Sequence, residues 1–231
     1  MRKIVIAAFV TLDGVVQAPG GPEEDPSGGF EHGGWTFPYW AGPGMADMGA
    51  FLDTVFSRPF DLLLGRRTYE VFAAHWPHVG SEDPLGRTFT DATKYVAAAP
   101  DVPLDWTNSV RLGPDVVSDV RALKAGEGPD LLIQGSSVLV QALLANDLID
   151  EFRLLVFPLV LGRGKRLFGE GTVPATLKLT SAKPAPGGVL MSVYERTGAP
   201  VATGSFALEN PSEAELVRRE SISERSVKRF A

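Results

Sequence analysis

Residues Ile4 to Val10 form an unbroken apolar run, and Asp13-Gly14 closes it. A run of this length suits a strand covered on both faces, since a half-exposed strand would alternate apolar with polar residues. That requirement restricts the fold more than any other stretch of the chain.

The rest of the pattern agrees with it. Short β-rich runs alternate with helical ones: a helix from about Ala46 to Phe56, a strand over Asp61–Leu64, and a helix opening at Gly65-Arg66-Arg67-Thr68. A strand over Lys94–Ala98, a helix from Asp115 to Ala125, and a strand over Leu131–Gln134 running into Gly135-Ser136-Ser137 come next. Val138, Leu139, Ala142 and Leu143 then recur as on a helix that covers a sheet. Phe152–Val160, a weaker Leu177–Thr180 and Val189–Arg196 read as strands. The last two are joined by too little chain for a crossover and are expected to be antiparallel neighbours. The expectation is an α/β domain with a mixed, mostly parallel sheet and antiparallel C-terminal strands. It spans residues 1–197. Residues 198–231 form an extension, a linker and then either a helix over Pro211–Phe230 capped by Asn210 or a frayed tail.

Composition narrows the function. Lys and Arg number 22 against 28 Asp and Glu, a formal net charge of −6 and the wrong sign for holding nucleic acid through its phosphates. Cysteine is absent, which excludes disulfides, a thiol nucleophile and cysteine-based metal sites. No apolar run approaches the ~18 residues of a membrane span. Met1-Arg2-Lys3 ahead of Ile4–Val10 mimics a short signal peptide, but no small-residue cleavage site follows, and a cytoplasmic protein is expected.

Two places join a strand to a helix through glycine: Leu64-Gly65-Arg66-Arg67-Thr68 and Gln134-Gly135-Ser136-Ser137. Helix N-termini present free N–H groups and partial positive charge, so each is either an anion seat or ordinary capping chemistry. Neither matches the Rossmann or P-loop glycine pattern.

With Val5–Gly14, these segments resemble the dihydrofolate reductase family, and within it the reductase domain of the bacterial riboflavin-pathway deaminase–reductase and its stand-alone relatives. The strongest parts are Leu64-Gly65-Arg66-Arg67-Thr68-Tyr69-Glu70 and the stretch from Gly135-Ser136-Ser137-Val138-Leu139 through Asp147-Leu148-Ile149-Asp150-Glu151 to Gly162. The resemblance covers residues 2–197. It implies a three-layer sandwich, an NADPH cofactor (NADH not excluded), a small-molecule substrate and a homodimer. Gly65, Arg66, Arg67 and Thr68 would then contact the cofactor's phosphates, with Gly135, Ser136, Ser137 and Val138 lining the pyrophosphate. Ala8 would lie near the nicotinamide. Asp13 would meet a pterin- or pyrimidine-like substrate as the catalytic carboxylate. Trp76, read from the chain itself, is either a wall of the substrate pocket or simple core. The family's first strand stands near the start of this chain, so any deamination in riboflavin synthesis is expected from a separate protein.

Two positions depart from the family pattern. Ala97, Ala98 and Ala99 offer no side-chain donor where relatives often hold the 2′-phosphate, and Gln134 replaces the first glycine of a common Gly-Gly pair. The loop from Gln17 to Gly44, with Phe30, Trp35, Tyr39 and Trp40, is either a lid over a hydride-transfer site or a satellite apolar cluster. His32, His75 and His78 invite a metal reading, but the Trp76-Pro77 break keeps them off a shared helix face, and no metal is expected. Asp47, Asp53 and Asp61 remain open as proton donors. Arg163, Lys165 and Arg166 either bind an anionic substrate or sit on a solvated turn. The overall expectation is an oxidoreductase that passes hydride to a pterin- or pyrimidine-like ring. The alternative is a non-catalytic ligand-binding or interaction protein on the same fold.

Overall fold

A computed structural model describes residues 1–80, 82–206 and 210–229. The chain divides into a unit over Met1–Ala199 and a second over Pro200–Ala231.

In the first unit β1 is Ile4–Thr11, followed after a long loop by a one-turn α1 (Phe37–Trp40), α2 (Met45–Phe56), β2 (Phe60–Gly65) and α3 (Arg66–His75). Then come α4 (Pro84–Asp91), β3 (Lys94–Ala97), β4 (Ser109–Arg111), α5 (Val116–Ala125), β5 (Asp130–Ile133) and α6 (Ser137–Leu144). The strands β6 (Glu151–Phe157), β7 (Leu177–Pro184) and β8 (Leu190–Arg196) complete a single eight-stranded sheet in the order β4-β3-β2-β5-β1-β6-β8-β7. All neighbours from β4 to β6 are parallel; β6–β8 and β8–β7 are antiparallel.

β1 is paired on both edges, Ile4 opposite Leu131 and Val5 opposite Glu151. Its side chains alternate between two cores. Ile4 and Ile6 pack with Leu63, Leu131 and Ile133 beneath α5 and α6, while Val5 and Ala7 pack with Leu62, Leu64 and Leu132 on the side of α3 and α4. Helices therefore cover both faces, as the unbroken apolar run requires.

The sequence reading missed α4 and β4. Asp83 caps α4 by accepting from the Gly86 N–H at 2.7 Å, with Pro84 in its first turn, a start signal hidden in a Pro- and Gly-rich stretch. β6 ends at Phe157, short of the expected Val160, because Pro158 cannot donate to a ladder. β7 runs past Thr180 to Pro184 through an irregularity between Leu179 and Ser181.

Two cations are buried near the strand starts. Arg2 is buried in an ion pair with Asp61 and lies against the Tyr95 ring. Lys94 is fully buried, its Nζ donating to the carbonyls of Thr90 (2.5 Å) and Ala92 (2.8 Å) and sitting 4.2 Å from the centre of the Trp106 ring. Burial lowers its pKa to about 8.

The second unit contains α7 (Glu213–Arg229). The Glu215 N–H donates to Ser212 Oγ at 3.3 Å, so Ser212 rather than Asn210 serves its start. Glu215, paired with Arg218 and Arg219, is held at about 2 by those bonds. The expected helix end at Phe230 lies outside the described residues. No helix among the described residues is long and apolar enough to cross a membrane.

Because Lys94 titrates near 8 when folded and near 10.5 when exposed, the unfolded chain holds the extra proton between those values, and stability rises with pH across that window. Urea midpoints of wild type and Lys94→Met at pH 7.5 and pH 10 should show the wild type gaining on the variant at the higher pH. Parallel behaviour would mean that Lys94 does not titrate there.

Candidate functional site

β5 lies between β2 and β1, so the two strand–glycine–helix junctions stand side by side at the C-terminal ends of parallel strands. They are stitched together. The Gly65 N–H donates to Ser136 Oγ at 2.8 Å, and the Ser136 N–H donates to Thr68 Oγ1 at 2.9 Å. Ser136 adopts a left-handed backbone (φ 59°, ψ 48°), and neither α3 nor α6 has a side-chain cap. The first-turn N–H groups of two helices are thus left facing a common depression, where anions are favoured.

Gly135 is needed at this junction. Its φ is +70°, and a Cβ there would come within 3.2 Å of Thr68 Oγ1. Among the described residues no peptide bond is cis, that between Gln134 and Gly135 included.

The depression has a volume of about 400 Å³ and is lined by Gly65, Arg66, Arg67, Thr68, Ser136, Ser137 and Val138 together with Ala97, Asp25 and Lys165. Seven of the eight residues expected to hold phosphates are therefore gathered in one place; Gly135 faces the neighbouring cavity. Arg66 is tied to Glu70 along the exposed side of α3. Arg67 and Lys165 are both paired with Asp25, the latter at 2.6 Å. Burial pushes the Asp25 carboxyl up, but hydrogen bonds from Lys165 and Ser27 outweigh it and hold the group below its ordinary value.

The second cavity, about 560 Å³, adjoins the first through Thr68 and Ser137. Its walls are mostly apolar: Ala7, Ala8 and Phe9 of β1, Leu52 and Phe56 of α2, Val71 and Phe72 of α3, then Trp76 and Leu85. Trp76 is held there by stacking on Phe89, with ring centres 4.5 Å apart and planes 15° apart. Ala8 and Trp76 both line this cavity.

Asp13 does not line either cavity. Its Oδ1 accepts from Thr11 Oγ1 (2.5 Å) and the Leu161 N–H (3.2 Å), and its Oδ2 from the Gly162 N–H (2.8 Å). Partial burial raises this carboxyl, and those hydrogen bonds bring it below its ordinary value. Asp13 therefore fastens the turn after β6 to the end of β1. The other candidate acids are also placed elsewhere: Asp61 is buried against Arg2, Asp47 pairs with Lys183 at 2.6 Å, and Asp53 is exposed. Among the described residues no three His, Asp or Glu side chains gather as a metal site.

The aromatics of the long loop take the satellite-cluster form. Phe30, Trp35 and Met48 pack against Leu155, Phe157 and Met191 as a separate cluster, and the buried Gln17 bonds the carbonyls of Asp25 and Ser27, each at 2.9 Å. The cavity is covered by Pro19, Gly20, Gly21 and Glu24 instead of the aromatics. Glu24 and Asp25 were missed in the sequence, since acids in a Gly- and Pro-rich loop usually face solvent. The contact of Asp25 with Arg67, 42 residues away, leaves no local signal.

Three comparisons bear on this geometry. The model of the RibD C-terminal domain family matches residues 2–191. YyaP of Bacillus subtilis strain 168, an uncharacterized protein, is 27% identical over 206 residues, covering 85% of this chain and 96% of its own. Among solved structures, dihydrofolate reductase from Enterococcus faecalis, complexed with NADP(H) and RAB-propyl, superposes with a TM-score of 0.52 at 16% identity, covering 84% of this chain and 96% of that one. A pyrimidine reductase-like protein from Corynebacterium diphtheriae gives 0.53 at 13% identity, covering 84% and 92%. The shared fold is the three-layer sandwich expected from the sequence.

Gly135→Ala combines a left-handed backbone with a close approach to Thr68. It should cost about 1–2 kcal/mol in urea denaturation from the backbone alone, whereas Gly49→Ala, at an open helical position, should not destabilise. Equal stabilities of the two variants would remove the strain assigned to the junction.

Proposed function

This chain belongs to the RibD C-terminal domain family, and from that membership we propose that it is an NADPH-dependent reductase acting on a pterin- or pyrimidine-like small molecule. The carrying observation is the juxtaposition of two uncapped helix N-termini with an apolar cavity floored by the central strand. A pyrophosphate suits the former and a planar ring the latter.

The residues present fit such a cofactor. Thr68 at α3 and Ser136 and Ser137 at α6 would hold the phosphates through their hydroxyls, together with the first-turn N–H groups of both helices, and Gly65, Gly135 and Val138 would line the space they occupy. Arg66 and Arg67 would supply positive charge. Gly135 leaves room for close approach, because a Cβ would fill the space beside Thr68. The cofactor supplies hydride when bound. The chain orients it: Ala8, with a minimal side chain on β1, lets a flat ring approach the sheet, and Trp76, Phe72 and Leu52 exclude water from the reacting faces. The Enterococcus enzyme was solved with NADP(H), which favours the same cofactor here. Ala97 brings no donor to the depression, so preference for NADPH over NADH rests on Arg66 and Arg67. Reduction of 5-amino-6-(5-phosphoribosylamino)uracil or of dihydrofolate are the two substrate options this reading carries, with riboflavin synthesis the setting of the first. A cytoplasmic homodimer belongs to the same reading.

One observation favours a non-catalytic ligand-binding protein instead: Asp25 already pairs with both Arg67 and Lys165 in the seat and offsets part of their charge.

Fluorescence titration with NADPH and separately NADH, following energy transfer from tryptophan to the reduced nicotinamide, separates the two. Saturable NADPH binding is expected. Arg67→Ala should weaken it about tenfold, as for a lost charge-assisted hydrogen bond. Absence of binding by either nucleotide up to millimolar concentration removes the reductase reading.

A further inference from the structure

We propose that Glu24, carried on the loop after β1, is the acid that protonates the substrate in the apolar cavity; this rests on the reductase reading above. Glu24 is the only carboxylic side chain among the described residues lining that cavity. It lines the cavity with Pro19, Gly20 and Gly21 of the same loop, and Phe56, Phe72 and Trp76 line it as well.

Its position is fixed from both sides. Glu24 Oε2 accepts from the Gly20 N–H at 2.7 Å. The chain before it is pressed onto Gly33, where a Cβ would come within 2.5 Å of Pro22 Cα. The chain after it is held by Gln17, which bonds the Asp25 carbonyl, and by the ion pairs of Asp25 with Arg67 and Lys165. The cofactor seat and the acid are thus adjacent residues of one anchored segment.

Surroundings suit the role. Burial pushes the Glu24 carboxyl above its ordinary value and the neighbouring Asp25 charge adds to this, against hydrogen bonds from the Gly20 and Gly21 N–H groups. The other titratable or charged side chains on the described cavity wall are His75, at the end of α3, and Arg166, beyond β6. A carboxyl whose surroundings favour its neutral, proton-carrying form suits general-acid chemistry.

The step balances. The substrate's C=N carbon gains hydride from the reduced nicotinamide, which is oxidised as the substrate is reduced. The π pair of that bond moves to nitrogen and takes the proton of the Glu24 carboxyl. An N–H bond forms, the O–H bond breaks, and the carboxylate is reprotonated from water.

The test uses the full-length protein and Glu24→Gln. NADPH titration comes first. Loss of binding in both proteins sinks the reductase reading itself, whereas a Kd in the variant within about threefold of wild type keeps that reading and isolates the acid.

With NADPH bound, carbon-13 NMR of labelled glutamate carboxyls should show one signal, absent from Glu24→Gln, titrating above the exposed glutamates. Titration together with them overturns the proposal, whether or not a substrate is found. With dihydrofolate or 5-amino-6-(5-phosphoribosylamino)uracil as acceptor, kcat should fall by about a hundredfold or more in Glu24→Gln, with KM little changed. The loss of wild-type rate on raising pH should disappear in the variant. A wild-type kcat in Glu24→Gln, or a pH limb that follows His75→Gln instead, overturns the assignment.

Discussion

The placement of β5 between β2 and β1 is the constraint on which the site depends. Parallel strands end on the same side of a sheet, so a helix that follows each of two neighbouring strands must begin beside the other. The Gly65 N–H to Ser136 Oγ and Ser136 N–H to Thr68 Oγ1 bonds are the local result. They fix the relative height of two helix starts without consuming their first-turn N–H groups. The apolar layers make this possible. With β1 paired on both edges and covered on both faces, the sheet has little freedom to shear, and a junction set by two hydrogen bonds holds its geometry.

Polar and apolar work are divided between neighbouring spaces. The depression at the helix starts is lined by hydroxyls, backbone N–H groups and cations, while the larger cavity is walled by β1, α2 and α3 with few polar groups. Thr68 and Ser137 belong to both, and the Glu24-Asp25 dipeptide places one carboxyl in each. A charged nucleotide end and a flat reacting ring have opposite needs for solvation, and under the function proposed above this arrangement would meet both within a short span.

Much of this was legible in the sequence, for a physical reason. The Ile4–Val10 run, the two glycine junctions and the apolar stripe of α6 are local patterns that the tertiary structure reinforces. The side-by-side placement of Thr68 and Ser136 at two helix starts follows from them. Asp13 shows where that reasoning ended: its residue type and place at the end of β1 suited a substrate-facing carboxylate, yet Thr11, Leu161 and Gly162 use it to fasten a turn. Glu24 and Asp25 were unreadable because their meaning comes from partners far along the chain, Arg67 and Lys165 for Asp25 and the walls of α2 and α3 for Glu24.

The Asp25 carboxylate also changes what kind of binding site the helix starts form. Two bare cations at a protein surface attract any anion, and that attraction fades as salt is added. Here the cations arrive with their own counter-ion built into the chain. An incoming phosphate would meet cations whose charge is already partly offset, and would have to compete with a carboxylate for them. The gain then comes from geometry more than from long-range charge: a phosphate has oxygens enough to engage both helix starts and the cations at once, and a lone carboxylate does not. On the cofactor reading proposed above, small monovalent anions would gain little from the exchange, and the seat would discriminate among anions by the number of donors each can satisfy.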